Sequence, residues 1–207
     1  MTSPAMALKL YYVPKTRSTR ARWMLEELGV PYELVRLDPK AGENKTPEYL
    51  RIHPLGHVPS LVDDGFSLFE SAAICLYLAD KFPEKNLAPK LGSPERGLCY
   101  QWICFAMTEI EPLLVEIAPT RMKSPSLPDS PAVQVAVEKL EVAGKVLEAA
   151  LKDREFLLGP VFSAADVVVG SGLGWARSMG MFESLPAVAA YATRVRGRAA
   201  FKRATTD

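Results

Sequence analysis

One short segment, residues 57–71 (HVPSLVDDGFSLFES), combines a proline ahead of an apolar alternation with an acid and a serine at its end. Proline has no backbone N–H, so Pro59 can occupy only a strand start, an edge or a turn. A cis Val58-Pro59 bond would turn the main-chain N–H and C=O groups ahead of the strand outward, without partners. Because such groups suit a peptide-like ligand, this segment is the first candidate for a binding site.

The residues around this proline predict an α/β arrangement. Leu61-Val62 and Phe66–Phe69 flank Asp63-Asp64-Gly65, and Asp-Gly supplies the positive φ angles of a tight hairpin turn. Upstream, the sequence predicts strands at residues 9–13 and 32–37 and a helix at 18–29; downstream, it predicts a helix at 71–82.

The second part of the chain changes character after a linker rich in Pro, Gly and Lys at residues 84–93. Every later segment has helical periodicity, with a proline-rich interruption at 118–131. Ser163 and Asp166 have the spacing of a capping box that begins a buried helix. The sequence therefore predicts an α/β domain at residues 8–83, the linker, and an all-α domain at residues 94–207.

Composition limits the functional classes. The 207 residues are 48% hydrophobic with a formal net charge of +1, so no broad basic surface indicates nucleic-acid binding. No apolar run approaches the roughly 20 residues that a membrane crossing needs, and the first residues lack a signal-peptide pattern. Cys75, Cys99 and Cys104 lie in apolar helical stretches without metal-site spacing, so we expect buried thiols and a cytoplasmic protein.

Two motifs then carry a family resemblance. HPLGHVPSLVDDGFSLFESAAI (residues 53–74) resembles the Asn-Pro-x-Gly-x-Val-Pro-x-Leu, hairpin and Glu-Ser-x-Ala-Ile series of the cytosolic glutathione transferases, with His53 where asparagine is usual. FSAADVVVG (residues 162–170) is similar to the capping box of that family's second domain. The resemblance runs from about Leu8 to Phe201. It implies an α/β thioredoxin-like N-terminal domain, an all-α C-terminal helical bundle and a homodimer.

The resemblance also implies a glutathione site. Val58 would pair main chain to main chain with the cysteinyl part of the tripeptide, ahead of a cis Pro59. Glu70 would face the γ-glutamyl ammonium, and Ser71 at a helix start would hold the γ-glutamyl carboxylate with its hydroxyl and N–H. Two donors at the glycyl carboxylate complete the set: Lys45 and His57. Taken singly, Glu70-Ser71 also fits a simple helix cap, and Lys45 and His57 also fit solvated side chains.

In this family a residue in the loop before the first helix stabilises the glutathione thiolate. A free thiol has a pKa of about 8.5, so only about 3% is the nucleophilic thiolate at pH 7. Alignment with theta-like and fungal-type members places Thr16 at the serine position, whereas alignment with bacterial beta-like members places Ser18 there and Arg17 over their cysteine. Ser18 also fits an N-cap of the helix. Without a loop cysteine, thiol exchange through the protein is not expected.

The second substrate implied by the resemblance is a small hydrophobic electrophile, and no metal or cofactor beyond glutathione itself is expected. A glutathione-dependent peroxidase, isomerase or disulfide reductase would use the same first domain, and a non-catalytic binding module would share the fold. Candidates for contact with the electrophile, chosen by position, are Val13, Tyr100, Phe105, Met107, Thr108 and Glu111.

Overall fold

The computed structural model describes residues 8–123 and 129–206. The chain forms two compact units. The first contains the described residues up to Asn86 and from Ala199 onward, and the second contains Leu87–Arg198. Within these ranges, none of the helices has the length and apolar character that crossing a membrane requires.

Four strands form a mixed sheet in the first unit. β1 runs parallel to β2 and antiparallel to β3, which is antiparallel to β4. Leu10 and Leu61 face each other across β1 and β3, and both are fully buried. The strands are β1 (Leu8–Tyr12), β2 (Glu33–Arg36), β3 (Ser60–Asp63) and β4 (Phe66–Phe69), in the order β2-β1-β3-β4.

The helices of this unit are α1 (Ser18–Leu28), α2 (Pro47–Ile52) and α3 (Ser71–Lys81). Helix α1 packs against α3 and the sheet, and its apolar residues are buried. Gly29 ends α1 with a φ of 64°, a left-handed conformation that glycine adopts without a Cβ penalty. Its N–H donates to the Leu25 carbonyl at 3.0 Å.

The turn and proline predictions in this unit are confirmed. Asp64 and Gly65 have φ angles of 48° and 86°, as a tight hairpin of this type requires. The Val58-Pro59 peptide bond is cis.

Helix α2 is an element that the sequence analysis missed, because residues 38–52 looked like an irregular polar stretch. The Thr46 hydroxyl accepts a hydrogen bond from the Tyr49 N–H at 3.3 Å, and Pro47 occupies the first helical position. Both are standard helix-start features, so the Thr-Pro pair was a usable signal. The helix has six residues, of which only Tyr49 is buried.

The second unit is built from helices, which confirms the all-α prediction. A wider, π-type turn at Ala106–Ile110 joins its first two helices, and there the Glu111 N–H donates to the carbonyl five residues earlier. The helices are α4 (Pro94–Phe105), α5 (Glu111–Lys123), α6 (Pro131–Leu151), α7 (Ala164–Ser178) and α8 (Pro186–Arg196).

Two details of this unit correct the sequence analysis. Helix α5 continues through Pro119 to Lys123, so the interruption predicted at 118–131 begins later, and residues 124–128 of it lie outside the described part. Cys75 and Cys99 are buried as expected, but Cys104 is exposed. Cys104 lies five residues after Cys99, which turns it to the solvent side of α4.

The capping box at the start of α7 is confirmed. The Asp166 carboxylate accepts the Ser163 N–H at 2.8 Å and the Ser163 hydroxyl at 2.9 Å. The Tyr191 hydroxyl of α8 donates to the same carboxylate at 2.9 Å. Burial raises the pKa of Asp166, against the effect of these donors. The carboxylate therefore ties α8 to the start of α7.

The last helix, α9 (Ala199–Ala204), packs on α1 in the first unit. The Phe201 ring meets the edge of Trp23 with 4.8 Å between ring centroids, and the Arg203 guanidinium donates to the Glu26 carboxylate at 2.6 Å. The tail therefore completes the hydrophobic surface around Trp23.

This packing changes the domain boundaries. The second domain, predicted at residues 94–207, extends too far at its C-terminal end, because the chain from Ala199 returns to the first unit. The predicted linker at 84–93 is divided between the units, with the boundary after Asn86. Periodicity marked the final helix but carried no information about which core it covers.

Candidate functional site

Three segments with predicted site residues meet at one end of the sheet, where β1 and β4 finish and β3 begins. Tyr11 near the end of β1 pairs with Ser60 at the start of β3, and Ser60 pairs with Phe69 at the end of β4. The loop that follows β1, the Val58-Pro59 bend and the Glu70-Ser71 pair therefore leave the sheet on the same side. Strand pairing brings together groups that are up to about sixty residues apart in sequence.

The loop after β1 holds two hydroxyls in mutual contact. The Thr16 hydroxyl donates to the Val13 carbonyl at 2.7 Å and lies 2.6 Å from the Ser18 hydroxyl. The Ser18 oxygen accepts the Val13 N–H at 3.2 Å. Thr16 is exposed, whereas Ser18 is fully buried. A ligand can therefore reach the Thr16 oxygen, while Ser18 braces the loop from inside.

The alternative reading of Ser18 as a helix N-cap is wrong. Helix α1 begins at Ser18 itself, and Arg17 occupies the capping position without a side-chain cap. The Ser18 side chain turns back to the Val13 amide instead. Its burial follows from this inward direction.

The segment before β3 is held by its carbonyl groups. Three consecutive carbonyls, those of residues 55, 56 and 57, each accept a hydrogen bond from a side chain of residues 44–49. The pairs are Lys45 Nζ to Leu55 at 2.8 Å, Asn44 Nδ2 to Gly56 at 2.7 Å, and Tyr49 hydroxyl to His57 at 2.6 Å. The path of residues 55–57 is therefore set by side chains of residues 44–49 and not by the backbone hydrogen bonds of a β-sheet.

Val58 is the first residue of this segment without such a tether. Its N–H and C=O make no hydrogen bond to any residue in 8–123 or 129–206. The side chain is half-buried and Pro59 behind it is buried. One donor and one acceptor of the main chain are therefore available to an extended peptide.

The two side chains predicted for the glycyl carboxylate, Lys45 and His57, are both exposed. The Lys45 ammonium keeps donors beyond the one that Leu55 accepts. The His57 ring lies 5.6 Å from the ring of His53, between centroids. Burial, followed by the neighbouring His57, lowers the pKa of His53, whose Nδ1 accepts the Leu55 N–H at 3.3 Å.

The Glu70-Ser71 pair lies at the N-terminus of α3. Glu70 is exposed with a φ of 69°, and its carboxylate makes no hydrogen bond or ion pair with the described residues and does not cap the helix. The Ser71 hydroxyl is buried and accepts a hydrogen bond from Arg20 Nη1 at 2.8 Å. The N-terminus of a helix and a buried guanidinium behind it favour an anion at this point.

The residues predicted to contact the electrophile are divided between the units. Val13 follows β1 in the first unit, and the other five lie along α4, the π-type turn and the first residue of α5 in the second. The Tyr100 ring lies under the Arg96 guanidinium at 5.0 Å, and Phe105 meets the Trp102 ring edge-on at 5.6 Å. Contact with an electrophile stays a prediction for all six.

The five members of that set in the second unit differ in accessibility. Tyr100 and Thr108 are exposed, Phe105 and Met107 are half-buried, and Glu111 is buried. The Thr108 hydroxyl donates to the Cys104 carbonyl at 3.1 Å within the helix. Exposure makes Tyr100 and Thr108 the most available side chains of this set.

Sequence reasoning missed three residues that shape the site, namely Arg20, Asn44 and Tyr49. Arg20 is almost completely buried beside the apolar face of α1, a position at which a charge signals a partner. Asn44 and Tyr49 flank the overlooked α2 start, so recognition of the Thr-Pro signal would have drawn attention to them.

Comparison with known proteins identifies the family. Residues 6–80 match the family Glutathione S-transferase, N-terminal domain, and residues 110–199 match Glutathione S-transferase, C-terminal domain. Glutathione S-transferase F10 of Arabidopsis thaliana is 35% identical over 167 residues, covering 78% of this chain and 77% of that protein. The chain belongs to the glutathione S-transferase family.

Other glutathione S-transferases support the assignment. Glutathione S-transferase GstA of Escherichia coli O157:H7 is 32% identical and covers 92% of this chain and 94% of its own length. A glutathione transferase from Methylococcus capsulatus superposes with a TM-score of 0.82 at 31% identity, over 96% of this chain and 97% of that one. URE2P6 from Phanerochaete chrysosporium, solved in complex with oxidized glutathione, has a TM-score of 0.82 at 28% identity over 96% and 94%.

These matches confirm the predicted family and its fold class, a thioredoxin-like domain followed by a helical one. Arg17, which one of the two alignments places over the loop cysteine of other members, is the last residue of the loop before α1. Burial raises the pKa of Cys75 to about 12, so its thiol is not a nucleophile at neutral pH. In residues 8–123 and 129–206, no cluster of three or more His, Cys, Asp or Glu side chains is arranged to hold a metal.

Proposed function

We propose that this glutathione S-transferase conjugates the thiolate of glutathione to small hydrophobic electrophiles. The observation that carries the proposal is that three candidate binding elements lie together at one end of the sheet. These are the exposed Thr16 hydroxyl, the unpaired main chain of Val58 and the N-terminus of α3 at Ser71. Each element matches one part of the tripeptide.

The binding roles follow from charge and hydrogen-bonding capacity. The Val58 N–H and C=O pair with the cysteinyl main chain, and the free Glu70 carboxylate faces the γ-glutamyl ammonium. The Ser71 hydroxyl and N–H bind the γ-glutamyl carboxylate. The hydroxyl oxygen of Ser71 already accepts from Arg20, so the hydroxyl proton can point toward the ligand. Lys45 and His57 face the glycyl carboxylate.

Thr16 is the better candidate for the residue that stabilises the thiolate. Lowering the thiol pKa from about 8.5 to about 6.5 requires roughly 2.7 kcal/mol. A charge-assisted hydrogen bond of about 1.5–3 kcal/mol and a helix N-terminus of about 0.3–1 kcal/mol together supply it. The exposed Thr16 hydroxyl can turn its single proton from the Val13 carbonyl to a ligand sulfur, whereas Ser18 is fully buried and already receives the Val13 amide.

The reaction then needs no group beyond glutathione and the electrophile. The thiol proton leaves to water and the thiolate pair forms the C–S bond. In a substitution the leaving group departs with the electron pair of the broken bond, and in an addition the adjacent carbon takes a proton from solvent. Val13, Tyr100, Phe105, Met107, Thr108 and Glu111 are the proposed contacts of the electrophile.

Two measurements test this function. Calorimetric titration with glutathione is expected to show binding, and a chlorinated nitrobenzene is expected to be conjugated with saturation in both substrates. The same preparation is assayed with a peroxide and with a glutathionylated thiol, because one relative at 30% identity over 205 residues is named Disulfide-bond oxidoreductase YfcG, from Escherichia coli.

The outcomes separate the classes. Conjugation that exceeds disulfide and peroxide turnover supports the proposal. Glutathione binding without turnover of any of these substrates would instead favour a binding module, and absence of binding to folded protein would refute the site altogether.

We also propose a cytoplasmic homodimer. Phe66 and Phe69 on the edge strand β4 are 50% and 37% exposed, an apolar surface of the kind that a second subunit covers. Free cysteines, including the exposed Cys104, suit a reducing compartment. Light scattering is expected to give twice the mass of the chain, and Phe66→Ser with Phe69→Ser is expected to give the monomer.

A further inference from the structure

The hydroxyl of Tyr49 contacts two groups on either side of the Val58-Pro59 bend, the backbone carbonyl of His57 and the side-chain hydroxyl of Ser60. It lies 2.6 Å from the His57 carbonyl oxygen and 3.1 Å from the Ser60 hydroxyl. A carbonyl can only accept, so the single phenolic proton goes to His57. Ser60 must then donate to the Tyr49 oxygen. The result is a directed chain from Ser60 through Tyr49 to the main chain at His57.

This series of hydrogen bonds connects the bend to β3, an interior strand of the sheet. Ser60 is fully buried and pairs with strands on both sides, opposite Tyr11 and Phe69. His57 lies outside the strands, and the Tyr49 hydroxyl fixes the His57 carbonyl relative to β3. The peptide plane between His57 and Val58 contains both the fixed carbonyl and the free Val58 N–H.

We propose that Tyr49 is a positioning residue for glutathione: its hydroxyl fixes the peptide plane that presents the Val58 N–H to the tripeptide. The inference rests on the proposed function, since it deepens the role of that site. A peptide plane is rigid, so fixing its carbonyl oxygen also fixes the direction of its N–H. Without the hydroxyl, no hydrogen bond from the described residues holds this plane, and the donor is less closely held in the binding orientation.

The Tyr49 ring has contacts of its own that do not depend on the hydroxyl. The ring is 3% exposed and meets the Tyr11 ring with 5.4 Å between centroids. Its place in α2 is fixed by the Thr46 cap. Tyr49→Phe therefore removes one oxygen and leaves the packing of the ring in place.

Tyr32, elsewhere in the protein, provides a matched control. Its half-buried hydroxyl donates to the Glu26 carboxylate at 2.6 Å, in the same unit but between α1 and the start of β2. Tyr32→Phe removes an equally short hydrogen bond that touches no proposed glutathione contact. The two variants separate loss of a buried hydroxyl in general from loss of this particular one.

The experiment measures the Kd of glutathione by calorimetry for wild type, Tyr49→Phe and Tyr32→Phe, together with the pKa of the bound thiol by thiolate absorbance. We expect Tyr49→Phe to raise the Kd about tenfold, the effect of losing a preorganised hydrogen bond. The pKa of the bound thiol should stay unchanged, because the Thr16 loop is intact. Tyr32→Phe should leave both quantities unchanged, although its Tm falls.

Ser60→Ala gives a second test, because it removes the other hydrogen-bond partner of the Tyr49 hydroxyl. It should raise the Kd in the same direction by a smaller factor, and the double variant with Tyr49→Phe should bind no worse than Tyr49→Phe alone, because both act through one network. This variant also decides the question if Tyr49→Phe does not fold. An unchanged Kd in Tyr49→Phe, or an equal rise in Tyr32→Phe, overturns the inference while wild-type binding leaves the proposed function standing; absence of wild-type binding removes both.

Discussion

Arg20 Nη1 donates a 2.8 Å hydrogen bond to the hydroxyl of Ser71, and both side chains are almost completely buried. The bond joins α1, which follows the Thr16 loop, to the first residue of α3, where an anion is expected. One buried cation therefore holds the two helix starts of the site together. It also uses the Ser71 oxygen as an acceptor, which leaves the Ser71 proton for a ligand.

Substitution of Ser71 by alanine is expected to weaken glutathione binding. The lost bond is to a carboxylate, for which about 1.5–3 kcal/mol corresponds to a Kd about 10- to 150-fold higher. Calorimetry gives the Kd directly. Ser71→Thr keeps the hydroxyl and should recover most of the affinity, and Ser67→Ala, at an exposed position on β4, should bind like wild type. Equal affinities for Ser71→Ala and wild type would remove Ser71 from the site.

Substitutions of the two loop hydroxyls, Thr16 and Ser18, are expected to have different effects. Thr16→Val should raise the pKa of the bound glutathione thiol by about 1 to 2 pH units, because it removes the proposed donor to the thiolate. Ser18→Ala should instead leave the Val13 amide without its partner and reduce the free energy of unfolding by about 1–3 kcal/mol. Thiolate absorbance against pH measures the first effect and urea denaturation the second. The reverse pattern would assign the thiolate contact to Ser18.

His53 is expected to make the stability of the first unit fall with acid. Burial, with His57 and Lys45 adding to it and Glu70 opposing, lowers the pKa of His53 in the folded protein below its ordinary value of about 6.5. Above that pH the ring is neutral in both states, so the stabilisation is complete. As the pH falls from about 6.5 toward the folded-state pKa, the unfolded chain binds the proton first and stability is lost.

Urea unfolding at a series of pH values between 8 and 5 tests this. His53→Asn should flatten the dependence in this window, whereas His57→Asn should retain most of it, because burial is the larger cause of the shift. An identical acid dependence in wild type and His53→Asn would show that other groups are responsible.

The parts of the fold predicted from sequence are those with local signals. Asp64-Gly65 specifies the hairpin turn, Gly29 ends α1, and the Ser163-Asp166 pair begins α7, each because one or two residues determine the backbone conformation. Pro59 likewise indicated where β3 begins, because proline has no backbone N–H to donate to a sheet.

The misses concern long-range contacts. Nothing near Phe201 indicates that α9 covers Trp23, almost 180 residues earlier, and a hydroxyl such as that of Tyr49 has no local signal for its partners at 57 and 60. Ser18 illustrates the same limit, since its position suggested a cap while its side chain bonds back to Val13. Tertiary contacts decide such cases over local propensity.

Substitution of Gly144 on α6 by alanine is expected to destabilise the protein. An added Cβ would lie 2.5 Å from the Phe182 ring and 2.8 Å from Leu185, closer than real Cβ contacts allow. The ring has little freedom to withdraw, because Phe182 is 6% exposed and its φ of 67° is already in the left-handed region. Gly144→Ala should therefore lower the free energy of unfolding by about 1–3 kcal/mol, the usual cost of overpacking a core, measured by urea denaturation.

The same substitution at Gly97 supplies the control. Gly97 lies on the exposed side of α4, and an added Cβ there meets nothing within 4 Å. Because alanine is favoured over glycine inside a helix by about 0.5–1 kcal/mol, Gly97→Ala should stabilise the protein while Gly144→Ala destabilises it. Opposite signs from one chemical change would show that the contact with Phe182, not helix propensity, requires glycine at 144. A stabilising Gly144→Ala would mean that the Phe182 ring moves aside at little cost.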